Sequence, residues 1–354
     1  MPKRVTVKAP TIKEIAREAG VSTQTVSRVL NNRPDVSRET RQKIQQIIQQ
    51  LDFQPNALAR SLIRQRSYTL GLIASHLSFY GPLMLLVELD QQTTNQGYTL
   101  LPQLIHDARP DNAQELKRLL SQQVDGIIWA VPDVTQNMGS VPGEPLISSV
   151  PTISVGDPVP GSIQPAIIDE RGGARLATDH LLAQGYKHIG LITGPLNWSG
   201  SVSRLGGWRD ALTAAGLPVS DNQIVEGDWS AASGEECFYR LLEQMPDIDA
   251  IFACNDQMAL GVLQAAHRLG RLVPQDLGVV GFDNFTESPY FWPPLTTVRQ
   301  PWPEKCAIAV RELIRMIEEQ QATGDFIPSE TQVLFPELLI RKSSTRDGDL
   351  RNVV

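Results

Sequence analysis

From Tyr68 onward, short apolar runs alternate with longer segments of helical periodicity, and this alternation restricts the fold more than any other property of the chain. Leu70–Ala74, Gly126–Val131, Pro151–Val155, His188–Thr193, Ala250–Ala253 and Leu277–Phe282 are the strand candidates. Segments 83–96, 112–123, 171–184, 203–215, 233–244, 257–269 and 303–320 carry the helical spacing between them. Strands separated by helices pair in parallel, and the crossover helices cover both faces of the sheet. Two such sheets fill this length better than one oversized sheet, so an α/β body of two lobes with parallel sheets is expected. Small ligands of such folds sit beyond the strand ends, in the cleft between lobes. No internal repeat or low-complexity tract interrupts the pattern.

The first 66 residues follow other rules. Thr11–Asn31, TIKEIAREAGVSTQTVSRVLN, describes two short helices joined by a tight turn. Thr11 is an N-cap, and Glu14 three residues later completes a capping box. Ile12, Ile15, Ala16 and Ala19 give the first helix one apolar face. Gly20 suits the left-handed end of that helix, and Ser22 caps the next. In the second helix Val26, Val29 and Leu30 point inward. Thr23, Gln24, Ser27 and Arg28 are left outside near its start, where a recognition helix meets base edges. Gln pairs bidentately with adenine, Arg with guanine, and Thr offers a methyl and a hydroxyl. A surface helical hairpin that binds nothing is the bland alternative. A third helix from Ser37 to about Leu51 turns Ile44, Ile47, Ile48 and Leu51 toward the other two. After a break at Phe53–Asn56, residues 57–64 are a helix too short to hold alone in water, which makes them a hinge that orders only when something holds it.

Charge divides the same way. Residues 1–66 hold 13 Lys or Arg against 5 Asp or Glu, while the remainder holds 19 against 34. A basic head on an acidic body fits phosphate contact confined to the head. Cys237, Cys254 and Cys306 form no CxxC pair and suit buried thiols of a reducing compartment. The opening MPKRVTVKAP lacks the apolar core of a signal peptide, and no window is long and apolar enough for a bilayer, so a soluble cytoplasmic protein is expected. His76, His106, His180, His188 and His267 show no metal-ligand spacing, and neither a G-x-S-x-G elbow nor a phosphate-binding loop is present. An enzyme is therefore not expected, and neither a catalytic residue, a cofactor nor a bound metal is assigned.

AGVSTQTVSRVLN (19–31), LDFQPNALARSL (51–62), EGDWSAASG (226–234), CNDQMALG (254–261), VVGFDN (279–284) and PPLTTVRQP (293–301) together resemble the lactose/galactose repressor family of bacterial transcription regulators. The resemblance runs from about residue 10 to Lys342. It implies a homodimer whose two heads contact the half-sites of a pseudo-palindromic operator in double-stranded DNA. By position it implies DNA contact from Thr11, Ser22, Thr23, Gln24, Thr25, Ser27, Arg28 and Asn31, with Thr23, Gln24 and Arg28 reading bases. Asn56, Ala59 and Leu62 of the hinge would enter the minor groove, Leu62 wedging a central base step. The body would resemble a periplasmic sugar-binding protein. The implied division is a helix-turn-helix domain over 1–54, a hinge helix over 55–66, an effector and dimerisation domain over 67–342, and a flexible tail over 343–354. The lobes would be 67–166 with 298–326, and 167–297 with 327–342.

The same motif positions place Ser75, Phe79, Asp157, Arg204, Trp229, Asn255, Asp283 and Gln300 in the cleft. Their chemistry suits a polyol. Trp229 offers a flat face to the C–H side of a sugar ring, and Arg204, Asn255 and Asp283 supply donors and acceptors for vicinal hydroxyls. Each has a structural alternative: core packing for Trp229, a surface ion pair for Arg204, helix or turn capping for Asp283, Asp157 and Asp169, with capping favoured for Asp169. Gly156 stands where lactose-type members carry an acidic cleft residue, which argues against a plain galactoside. Thr23 replaces a larger side chain of those members, so the operator need not be the same. The tail SSTRDGDLRNVV has no leucine heptads, and a dimer is expected rather than a tetramer. A sugar effector that releases the operator is the leading expectation. A purine, a sugar phosphate or a phosphoprotein co-regulator are the alternatives within the class. A sugar-binding transport protein would explain the body but not the basic head.

Overall fold

The computed structural model describes residues 10–30, 33–51, 53, 66–105, 113–132, 150–159 and 161–346. Asn31, Asn56, Ala59, Leu62 and the rest of the hinge up to residue 65 lie outside these residues. The chain divides into two compact units, Met1–Ser67 and Tyr68–Val354.

The first unit contains α1 (Ile12–Ala19), α2 (Thr23–Leu30) and α3 (Arg38–Gln50). Local chemistry sets the start of each helix and the end of α1. Thr11 N donates to Glu14 Oε2 at 2.7 Å while Glu14 N donates back to Thr11 Oγ1, which closes the capping box. Gly20 ends α1 at φ 71°, a conformation open to glycine at little cost. Ser22 accepts from Thr25 N at 3.1 Å to start α2, and Ser37 accepts from Thr40 N at 3.2 Å to start α3. Ile15, Ala16, Ala19, Val26, Val29, Ile44, Ile47 and Phe53 form the buried core. Ile12, Leu30, Ile48 and Leu51 pack at its edge, half-buried.

The second unit holds two sheets. The first contains β1 (Thr69–Ser75), β2 (Thr99–Ile105), β3 (Gly126–Ala130) and β4 (Thr152–Ser154), parallel in the order β2-β1-β3-β4. Side chains of β1 and β3 alternate between its faces. Leu70, Leu72, Ala74, Ile128 and Ala130 pack with residues of α4 (Tyr80–Asn95) and of the long final helix at Trp302–Thr323. Ile73, Ile127 and Trp129 pack on the other face with Leu116 and Leu119 of α5 (Ala113–Leu120).

The second sheet contains β6 (Ile189–Thr193), β7 (Ile224–Glu226), β8 (Ala250–Ala253), β9 (Gly278–Phe282), β10 (Thr296–Arg299) and β12 (Glu337–Leu339), in the order β12-β10-β9-β8-β6-β7. Only β12 runs antiparallel to its neighbour. Its connecting helices are α6 (Glu170–Ala183), α7 (Ser199–Ala214), α8 (Ala231–Gln244) and α9 (Asp256–Arg268). The chain passes between the sheets three times: through β5 (Ala166–Ile168), between β10 and α10 (Trp302–Thr323), and through β11 (Gln332–Leu334). β5 and β11 pair with each other in parallel. The two lobes are therefore joined by a narrow waist, and their strand ends face a shared cleft.

All six strand candidates form strands, within a residue or two of their expected limits. Of the strands that periodicity did not predict, all but β10 are edge or waist strands; β10, four residues long, lies inside the second sheet between β9 and β12. β2 contains Pro102, which a sheet tolerates at its edge because no ladder hydrogen bond is lost there. β5, β7, β11 and β12 are three residues each, too short for a pattern. The tail is the correction. Ser343 and Ser344 are fully buried, with Ser343 Oγ donating to Val279 O and Ser344 Oγ 2.7 Å from Thr296 Oγ1. The Arg346 guanidinium lies 4.0 Å from the centroid of the Tyr186 ring. Residues 343–346 thus belong to the body, held by hydroxyl contacts that no apolar pattern signals. The three cysteines are buried thiols, and burial pushes them up to about 11 for Cys237 and about 12 for Cys254 and Cys306. Among the described residues no helix is long and apolar enough to cross a membrane.

Candidate functional site

On the head, Thr23, Gln24 and Arg28 are exposed on the face of α2 opposite Val26 and Val29, and Thr25 and Ser27 are half-exposed. Thr11, Ser22 and Thr25 also serve the caps. The Arg28 guanidinium meets Asp35 at 3.4 Å, both half-exposed. This pairing was invisible in the sequence pattern. An exposed pair of this kind contributes at most about 1 kcal/mol, so it orients Arg28 without locking it.

Between the lobes lies a cleft of about 340 Å³. The first lobe contributes Phe79 and Tyr80 at the start of α4, Asp157 beyond β4, and Trp302 and Lys305 in the first turn of α10. The second contributes Glu170, Trp198, Ser199, Arg204, Trp229, Asn255 and Asp283, and Gln300 comes from the waist. Seven of the eight expected residues line it together. Ser75 does not: it is buried at the end of β1, with its hydroxyl 2.8 Å from His76 Nδ1.

Arg204, on α7, is the hub. Its Nε donates to Glu170 Oε2 at 3.0 Å, Nη1 donates to Cys254 O, and Nη2 lies 3.6 Å from Asp283 Oδ1. Its guanidinium also stacks 3.9 Å from the Phe282 ring centroid. Burial alone would lower its affinity for the proton, but Glu170 and Asp283 outweigh that and hold it above its ordinary range. Asp283 Oδ1 accepts from Gln300 Nε2 at 2.7 Å. Its burial raises the carboxyl above the usual carboxylate range, against the opposing pull of Arg204 and Gln300. Asp283 is thus neither helix cap nor free acceptor but a member of a Glu170–Arg204–Asp283–Gln300 network.

Three of the expected acidic and amide residues have settled roles. Asn255 caps α9 by accepting from Met258 N at 2.8 Å, and its Nδ2 donates to Trp229 O at 2.9 Å. Asp169 caps α6 by accepting from Gly172 N at 2.8 Å, as its capping alternative anticipated. Asp157 Oδ2 accepts from Ser199 Oγ at 2.9 Å, a hydrogen bond from one lobe to the other.

Aromatic rings form the rest of the wall. Phe79 and Trp229 each meet Trp198 edge-on, at centroid distances of 5.6 and 5.8 Å. Tyr80 of the first lobe lies 3.8 Å from Phe285 of the second. Burial and nearby carboxylates push the Tyr80 phenol up to about 12, so it keeps its O–H. Trp229 belongs both to the second lobe's core and to the cleft lining. Two backbone features hold it: its own φ of 74°, and Gly194, where a Cβ would fall 2.1 Å from the indole. Asp283 likewise has φ 102°, and such conformations cost on the order of 1–3 kcal/mol, so the surrounding contacts must impose them. Gly156 lines the cleft too. A Cβ there would meet Val131 O at 2.8 Å, so an acidic side chain does not fit without a backbone shift.

Trp229 Nε1, Trp302 Nε1 and Gln300 Oε1 are buried and have no hydrogen-bond partner among the described residues. Two donors and one acceptor on cleft-lining residues are left for a polar molecule. Lys305, Glu170, Trp302 and Trp198 escaped the motif reading. Lys305 carried the clearest signal, because it falls on the same helical face as the buried Cys306, Ala309 and Leu313. Burial pushes its ammonium below the ordinary lysine range, with Glu170 the main opposing influence. Among the described residues no group of three or more His, Cys, Asp or Glu side chains is placed to hold a metal ion.

A helix-turn-helix head joined to a two-lobed, ligand-cleft body defines a DNA-binding transcriptional regulator with an effector domain. Comparison with known proteins bears this out. Residues 11–56 match the bacterial regulatory proteins, lacI family, and residues 178–344 match the periplasmic binding protein-like domain. The chain is 34% identical to the HTH-type transcriptional repressor PurR of Pasteurella multocida over 94% of its own length and 98% of the relative's. A crystal structure of the lac repressor dimer bound to operator and the anti-inducer ONPF superposes with TM-score 0.79 at 30% identity, covering 95% of this chain and 99% of that one. A transcriptional regulator CelR–cellobiose complex gives TM-score 0.65 at 29% identity, covering 94% and 99%. The chain belongs to the LacI family of bacterial transcriptional repressors.

Proposed function

We propose that this repressor binds a pseudo-palindromic operator as a homodimer in the cytoplasm, without catalytic activity, and releases it when a sugar or glycoside enters the interlobe cleft. Thr23, Gln24 and Arg28 read bases, with Thr11, Ser22, Thr25, Ser27 and Asn31 beside them, while Asn56, Ala59 and Leu62 act in the minor groove. The functional division follows 1–54, 55–66 and 67–342, with the lobes exchanging at the waist. Closing or opening the cleft shifts the first lobe against the second, and the hinges of a dimer can meet on DNA only at one separation.

The observation that carries the sugar reading is the set of orphaned polar atoms on cleft residues, Trp229 Nε1, Trp302 Nε1 and Gln300 Oε1. Sugar hydroxyls both donate and accept, so they satisfy this set while the indole faces take the ring's C–H side. The cleft volume, about 340 Å³, is at the small end of ligand pockets and suits one or two rings. The test is a thermal-shift screen of mono- and disaccharides against nucleobases, followed by anisotropy with a selected palindromic duplex. The expected result is a sugar that raises the body's transition and lowers duplex affinity, with Asp283→Ala still binding duplex but at least tenfold less responsive. A nucleobase hit with no sugar hit overturns it.

A further inference from the structure

Lys305 is the anomaly of the cleft. Its side chain is more than nine-tenths buried on the cleft wall, with 8% of the residue exposed. Among the described residues it makes no ion pair and no hydrogen bond; its closest characterised contact is the Trp302 ring, 5.7 Å from Nζ to centroid. An ammonium buried without a counter-ion is expensive, and proteins retain one where something pairs with it. The charged groups that face it are Glu170 and Asp157, with the Cys306 thiol on its own helix. Both carboxylates are already engaged, Glu170 by Arg204 Nε and Asp157 by Ser199 Oγ. Arg204, the other cation of the cleft, is likewise consumed by Glu170, Asp283 and Cys254 O.

We infer that the effector is a sugar acid, a ring-sized polyol whose single carboxylate pairs with Lys305 Nζ. The inference rests on the sugar reading of the cleft and narrows it. One cation without a partner calls for one negative charge. A phosphate dianion would bring two charges to a site that already holds Asp157, Glu170 and Asp283, with no guanidinium fork free to receive it. A neutral sugar would leave the ammonium without its ion pair. The Trp302 face beside Nζ supplies a weak cation–π contact and leaves the ammonium's donors for the carboxylate. Uronates and aldonates have the required pattern, hydroxyls for Trp229, Trp302 and Gln300 and one carboxylate for Lys305.

The experiment is calorimetric titration of the full-length protein with glucuronate, galacturonate and gluconate, each beside its neutral sugar (glucose or galactose) and glucose 6-phosphate. At least one carboxylate ligand should bind ten times or more tighter than its neutral counterpart. Lys305→Met should lose at least tenfold for that acid while the neutral sugar binds as well or better. Lys305→Arg should keep part of the affinity, which separates charge from packing. Thermal unfolding of each variant reports whether the body is intact. A neutral sugar that binds as tightly as its acid, a preference for the phosphate, or an acid that binds Lys305→Met unchanged overturns the inference while leaving the sugar cleft standing. If no sugar of any charge binds, both readings fall.

Discussion

Head and body build their surfaces in opposite ways. In the head, every described helix begins at a cap whose partner is three residues away, and eight buried side chains suffice as core. The consequence is a small unit whose proposed DNA-reading face is simply the side of α2 left over after packing. In the body, the cleft gathers Phe79, Asp157, Arg204, Trp229, Asp283 and Lys305 from segments far apart in the chain. Its proposed effector face is not left over but assembled, and it carries positive-φ backbone at Trp229 and Asp283 that the surrounding packing must hold. A surface that local rules define tolerates rewriting of its exposed residues; a surface that tertiary packing defines does not.

The largest test of this contrast is Ile15→Ala. Removing a fully buried side chain from so small a core costs about 2–5 kcal/mol and should unfold the head. Duplex binding should vanish while the calorimetric transition of the body stays in place. If the body melted with it, the two units would not be independent.

The next is a pH test of the body. Burial holds His180 down at about 4, so between pH 6.5 and 4 the unfolded chain takes up a proton that the folded chain refuses. This contribution of about 3 kcal/mol is present above pH 6.5 and is lost as pH falls through 4. Asp256 acts in the opposite sense. Burial raises it to about 7 against the pull of Ser288, Thr297 and Phe285 N, so its folded form is favoured at low pH and loses ground as pH rises from 3.8 toward 7. Urea unfolding of His180→Asn should therefore lack the acid-side loss and show stability falling with pH over that window. An unchanged acid limb would remove His180 from the account.

On the head, Arg28→Ala should weaken specific duplex binding by about 1–3 kcal/mol in an anisotropy titration, with a smaller change on random duplex. Equal losses on both would reduce Arg28 to a phosphate contact. The smallest effect belongs to Asp35→Asn, which frees Arg28 from its exposed partner. Affinity should rise by no more than about 0.5 kcal/mol, and the gain should shrink as salt increases. A loss of affinity would instead make Asp35 a positioning residue for Arg28.

Legibility followed the range of the interactions. The capping box at Thr11 and Glu14, the apolar faces of the three head helices and six of the strands were all readable, because each rests on a period or on partners a few residues apart. The cleft was readable only through motifs. Those motifs brought in Arg204, Trp229, Asp283 and Gln300 but misplaced Ser75, whose hydroxyl turns to His76 instead. They also missed Lys305, although a lysine on an apolar helical face was there to be noticed. The roles of Asn255 and Asp157 were not readable at all: one amide divides between a cap and Trp229 O, and one carboxylate bridges the lobes.

The sequence by itself determined the class of fold, the polarity of charge between head and body, and the exposed row on α2, since periodicity, capping and charge are properties of neighbouring residues. Only the tertiary structure decided that Arg204 is spent within its own network, that Ser343 and Ser344 belong to the core, and that Lys305 has no partner among the described residues. Those outcomes depend on which distant groups reach a buried atom first, and burial makes that choice costly to leave unmade.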